Sequence, residues 1–117
     1  MLSPTHTLQE HFVKCSPAVT ATYSRILEAT GRLGPYTQEP KKTSIHLVRR
    51  TAFAGIATRK SALILTLKSD RDVKSKRIAK REQASANRWH LEIRLEEPEQ
   101  IDSELVAWLT KAYELAG

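Results

Sequence analysis

Residues 88–95 read RWHLEIRL, and this octet constrains the chain more than any other stretch. Trp89, Leu91, Ile93 and Leu95 alternate with Arg88, His90, Glu92 and Arg94. A period of two held over eight residues is that of a half-buried strand, whose successive side chains point to opposite faces. Such a strand belongs in a sheet with one covered and one open face, the arrangement common to antiparallel sheets.

Other segments repeat the pattern. In SALILTLK, residues 61–68, Leu63, Leu65 and Leu67 lie on one side, with Ile64 and Thr66 on the other. In TSIHLVRR, residues 43–50, Ile45 and Leu47 alternate with Ser44, His46 and Val48. AFAGIA, residues 52–57, reads as a strand of small residues around Phe53 and Ile56, and its Gly55 suggests close packing or a bulge more than ligand approach. Tyr36 to Gln38 suits a short edge strand ending at Pro40, because proline cannot donate to a ladder.

Helical spacing brackets these strands. Thr7 and Glu10 match a capping box for a short first helix. Ser16 and Pro17 open a second, in which Val19, Tyr23, Ile26, Leu27 and Thr30 form one stripe, with Gly31 as its cap. Pro98 opens a last helix whose core stripe is Ile101, Leu105, Trp108, Leu109 and Ala112. Trp89 and Trp108 both fall on core positions. Residues 69–87 are rich in Lys and Arg, with Val73 and Ile78 almost alone as apolar residues, and are expected to form a mobile excursion carrying a helical turn.

The expected fold is therefore α+β in two layers. An antiparallel meander of four to five strands carries the N-terminal and C-terminal helices on one face. At 117 residues, one domain spanning 1–117 is expected. Cys15 is the only cysteine, which excludes an intramolecular disulfide. No run approaches the ~18 apolar residues of a membrane span, and no basic-then-apolar leader opens the chain. A cytoplasmic location follows as the expectation, with no membrane partner.

Four stretches together resemble a known family. They are EHFVKCSP, ILEATGRLGP, KKTSIHLVRRTAFAGIATRK and RWHLEIRLEEPEQIDSELVAWLTKAYELA, running from about Glu10 to Ala116. The family is a bacterial and archaeal domain of unknown function, family 5655, which in other chains often forms the C-terminal part of proteins called predicted transport proteins. The resemblance implies a fold of the kind read above, and it implies no reaction.

The chemistry must therefore come from the residues. His6, His11, His46 and His90 show no metal-ligand spacing, so no metal site is expected. No nucleophile elbow or glycine-rich phosphate loop is present, and no catalytic residue or cofactor is assigned. Two histidines, several cations and one carboxylate, Glu92, do share the open sheet face. His46, His90, Arg94, Lys68 and Arg88 are the candidate ligand-binding set. The leading reading is a non-enzymatic interaction or ligand-binding module, with self-association as an option for its partner.

The net charge of +6 makes an anionic partner the natural one. A second reading is therefore weak, non-specific nucleic-acid binding through Lys74, Lys76, Arg77, Lys80 and Arg81, joined by Lys41, Lys42, Arg49 and Arg50. A third is an enzyme on the His46/His90 face, with His90 as a base held by Glu92.

Overall fold

The structure is a computed structural model and describes residues 7–117. His6 lies outside the described residues. Two α-helices, α1 (Pro17–Gly31) and α2 (Ser103–Leu115), cover one face of a single antiparallel sheet. Its strands are β1 (Thr37–Pro40), β2 (Ile45–Val48), β3 (Ala52–Thr58), β4 (Leu63–Ser69), β5 (Ile78–Ser85) and β6 (Arg88–Leu95).

The sheet has six strands rather than four or five, in the order β1-β2-β3-β4-β6-β5. The additional strand is β5, which lies inside the stretch expected to be a mobile excursion with a helical turn. Its sequence IAKREQAS buries almost nothing, and every residue after Ile78 is exposed. An edge strand needs hydrogen bonds on one side only, so charged residues suit it and even protect it from further pairing. The meander also ends at β4, which pairs with β6 instead of β5. The apolar row of β6 explains the exchange: Leu91, Ile93 and Leu95 are fully buried against Leu67, Leu65 and Leu63. The more apolar strand takes the interior place.

These rows meet Val19, Tyr23 and Ile26 of α1 and Leu105, Leu109, Ala112 and Tyr113 of α2 in one core. A bulge lies between β2 and β3, where Leu47 faces Ala54 and Val48 faces Ala52, leaving Phe53 as the extra residue. Phe53 and Ala54 are consequently both buried, and Phe53 packs edge-on against Tyr36 and Tyr113.

The helix ends differ from their expected places. The Thr7–Glu10 capping box forms, yet it holds only a 3-10 turn over Gln9–His11. Gly31 is the last residue of α1 instead of its cap. Pro98 opens a separate 3-10 turn, and α2 begins later, where Asp102 accepts from the Leu105 amide at 3.1 Å. A carboxylate at that position satisfies an amide that a proline start would leave bare.

Both tryptophans are half-buried rather than core. Trp89 pairs with Ser69 and Gln83 near the end of the sheet. Trp108 lies on the flank of α2, where the Arg77 guanidinium covers its ring at 5.7 Å. No helix among the described residues is long and apolar enough to cross a membrane.

Candidate functional site

Strand alternation sends Leu63, Leu65 and Leu67 into the core and leaves Ile64, Thr66 and Lys68 on the far face. The register extends this face across the sheet. One cross-strand row runs Glu39, His46, Gly55, Thr66, Glu92, Lys80. The next places Lys68 opposite His90, and His90 opposite Glu82.

A shallow depression of about 310 Å³ lies on this face. Its rim includes Ser44, His46, Thr66, Lys68 and His90, and Gly55 lies among Ala52 and Ala57 at its centre. Three of the five candidate ligand-binding residues, His46, Lys68 and His90, thus border one concavity. Arg88 stands two residues before His90 on β6, near enough to Lys68 to act on its charge. Arg94 is apart: it faces Ile64, lies 3.9 Å from Glu96 and does not line the depression.

This end carries both signs of charge: Glu82 stands opposite His90 and Glu92 opposite Thr66, beside Lys68 and Arg88. Lys68 donates to the Thr51 hydroxyl at 2.9 Å, and Arg88 donates to the Asn87 carbonyl at 2.8 Å. Both acceptors are neutral, and neither cation is in an ion pair among the described residues. Burial, and then the neighbouring Arg88, push the Lys68 amine below its ordinary value.

His46 and His90 do not converge. They sit on β2 and β6 with β3 and β4 between them. Three strand spacings separate them by roughly 14 Å at about 4.8 Å each. A shared metal or a two-histidine proton relay does not fit that span. Among the described residues, no three His, Cys, Asp or Glu side chains cluster closely enough to hold a metal. His90 and Glu92 share a face, and their direct cross-strand partners are Lys68 and Glu82 for the histidine and Thr66 and Lys80 for the glutamate.

The nucleic-acid candidates are distributed differently from expectation. Arg77 is committed to the C-terminal helix, donating to Asp102 at 2.9 Å and to Glu104 at 3.0 Å. Arg81 lies 3.3 Å from Asp72, and Lys80 lies 3.7 Å from Glu82. Lys74 and Lys76 remain on the connection before β5. Lys41 pairs with Glu39 at 3.2 Å, while Arg49 donates to the Tyr113 carbonyl at 3.1 Å and stacks over that ring. Arg77, Lys80, Arg81 and Lys41 are thus ion-paired, while Lys74, Lys76, Lys42, Arg49 and Arg50 have no ion pair among the described residues.

A second cavity, of about 370 Å³, lies beside Trp108, Leu67, Leu91 and Val73. Asp70 lies 3.4 Å from both Arg71 and Lys111, and Lys68 borders this cavity as well as the depression. His11, expected as a packing residue at a helix end, donates from Nε2 to the Lys41 carbonyl at 2.7 Å.

Two features of the depression escaped the sequence. Thr51, which holds the Lys68 amine, lies in the β2–β3 turn and carried no signal. Gly55 did carry one, a glycine inside a strand pattern, but its surroundings were not readable. The bulge expected there lies instead at Phe53.

A family model described as Domain of unknown function (DUF5655) matches residues 8–116. No curated protein and no solved structure matches the chain.

Proposed function

We propose that this chain, which belongs to the DUF5655 family, is a non-enzymatic binding module whose ligand is a small anion seated on the open face of the sheet. The observation that carries this reading is the pair Lys68 and Arg88 beside His90 at one end of the depression: the two cations act on one another's charge and donate only to neutral acceptors. Glu82 and Glu92 lie on the same face, but neither is ion-paired to Lys68 or Arg88 among the described residues. Like charges set side by side destabilise a sheet, so the arrangement favours an anion that reconciles them. The concavity is at the lower end of the roughly 300–1,000 Å³ typical of ligand sites, which suits a compact molecule.

The separation of His46 from His90 speaks against an enzyme built on the pair. The internal ion pairs of Arg77, Lys80 and Arg81 reduce to Lys74 and Lys76 the charge that the stretch from Lys74 to Arg81 offers a phosphate backbone.

Amide-resolved NMR titration with inorganic phosphate, sulfate and acetate tests the proposal. Shifts concentrated at Gly55, Lys68 and His90, and lost in Lys68→Gln, are expected. A ligand that binds only the folded state also raises the melting temperature with concentration. Shifts confined to residues 74–81, or none at millimolar anion, would reject it.

A further inference from the structure

Gly55 stands in the middle of an interior strand, paired to His46 on one side and Thr66 on the other. Glycine there has three ordinary explanations. The first is backbone conformation, but its φ lies outside the left-handed range, and Gly34 is the glycine with positive φ. The second is a bulge, which lies two residues away at Phe53. The third is crowding. A Cβ built on Gly55 would find its nearest neighbours, His46 Cδ2 and Thr66 Cβ, at 3.9 Å each, an ordinary contact. Nothing inside the chain therefore requires glycine, although glycine weakens a strand interior. What remains is close approach to the bare backbone from outside.

The geometry around that point is specific. His46 places an imidazole at one flank of Gly55 and Thr66 borders the other. Lys68 is the diagonal neighbour of Gly55, roughly 7–8 Å away by strand geometry. His90 stands directly opposite Lys68, and Arg88 is next along β6. The floor thus accepts something thin, and the cations lie a short reach to one side of it.

We infer that the ligand is a planar aromatic or heteroaromatic ring with a phosphate monoester on the same molecule, the ring standing edge-on over Gly55 between His46 and Thr66 and the phosphate on Lys68, Arg88 and His90. This rests on the anion-binding reading above. A ring is thin enough to enter edge-on between His46 and Thr66, and its edge reaches the Gly55 backbone where a side chain would hold it off. Histidine beside it supplies a stacking surface. The phosphate oxygens accept from Lys68 and from the Arg88 fork, and a dianion answers the two cations where a carboxylate answers one. Lys68 is shared by the two halves of the site: it reaches the phosphate and borders the ring.

Isothermal titration of the full chain with four probes tests this: adenosine monophosphate, phenyl phosphate, inorganic phosphate and adenosine. At least one of the two ring-bearing phosphates should bind at least tenfold more tightly than inorganic phosphate, and adenosine should bind weakly. Gly55→Val raises the floor while favouring a strand. It should lower affinity for the tighter ring-bearing phosphate at least tenfold and leave inorganic phosphate unchanged. Should urea melts show that valine disturbs the fold, Gly55→Ala serves, with a smaller loss in the same direction. Lys68→Gln should weaken every phosphate. Tight binding of adenosine monophosphate alone supports the site with a nucleotide as its source, and of phenyl phosphate alone with an ester directly on the ring. Inorganic phosphate binding at Lys68 and His90, with both ring-bearing phosphates no tighter or indifferent to Gly55→Val, overturns the ring placement and leaves the anion site standing. No binding by any phosphate overturns both.

Discussion

Arg77, in the connection between β4 and β5, donates through Nη1 to the carboxylate of Asp102, the N-cap of α2, at 2.9 Å and from 25 residues away. The same guanidinium reaches Glu104 at 3.0 Å and the Gln100 carbonyl at 2.6 Å. Asp102 in turn accepts the Leu105 amide. One carboxylate thus caps a helix and anchors the segment that leads into the edge strand.

Replacing Arg77 should loosen that segment before it touches the core. An exposed ion pair contributes little, but this side chain is only 26% exposed and answers several acceptors. Arg77→Leu is expected to lower stability by about 1 kcal/mol and to speed tryptic cleavage at Lys74 and Lys76. Cleavage rates equal to those of the unaltered chain would mean that the connection is held by something else.

The same cluster sets a response to acid. The Arg77 hydrogen bonds, and then the Leu105 amide, hold the Asp102 carboxyl below its ordinary value. A carboxylate with a depressed folded-state pKa contributes stability above its unfolded value, near 3.9, and loses it as pH falls through the folded value. Asp102→Asn keeps a capping side chain and removes the charge. Its urea midpoint should fall less steeply than that of the unaltered chain below about pH 4. Parallel curves would dismiss the coupling.

Lys68 gives the opposite behaviour at alkaline pH. Its amine is depressed by burial and by Arg88, so the folded chain releases that proton before the unfolded chain does. In the window between the lowered value and about 10.4, the unfolded state binds more protons, and the Lys68 contribution to stability rises with pH. Tyr23 acts the other way in the same range, its hydroxyl pushed up by burial and then by Tyr36. The informative quantity is therefore the difference between the unaltered chain and Lys68→Gln. The variant should be the more stable near pH 8, and its advantage should shrink towards pH 11. A constant difference would show that Lys68 carries no strain.

Much of this architecture was legible because interior strands advertise themselves. RWHLEIRL and SALILTLK must each offer an apolar row to the helices, and their period of two follows from that demand. IAKREQAS has no such duty at the edge, where Ile78 alone is partly covered, so its strand character left no apolar trace. The open face was legible as a set of residues, since His46, Lys68 and His90 follow from alternation alone. Their distances were not, because the place of β6 beside β4 is a property of the assembled sheet. Arg77 and Trp108 were misread for a related reason. A cation in a polar stretch looks free, and a tryptophan on an apolar stripe looks buried, until the connection folds back over α2 and sets one on the other.

The two glycines that flank the aromatic cluster and the depression should respond oppositely to alanine. Gly34 has φ of 143°, a conformation that L side chains rarely adopt, and a Cβ there would collide with the Tyr113 hydroxyl. That hydroxyl donates to the Pro35 carbonyl at 2.9 Å, so it cannot move aside without giving up its partner. Gly34→Ala should therefore destabilise by more than the ~1 kcal/mol that alanine gains elsewhere from a less flexible unfolded chain. Gly55 lies within a strand without positive φ, and a Cβ there would meet His46 and Thr66 only at ordinary contact distance. Gly55→Ala should stabilise the free chain by about 0.5–1 kcal/mol, the strand-interior cost of glycine returned. Urea melts of the two variants decide the matter. Destabilisation at Gly55 comparable to that at Gly34 would mean that the chain needs this glycine for its own packing and not for a ligand set against it.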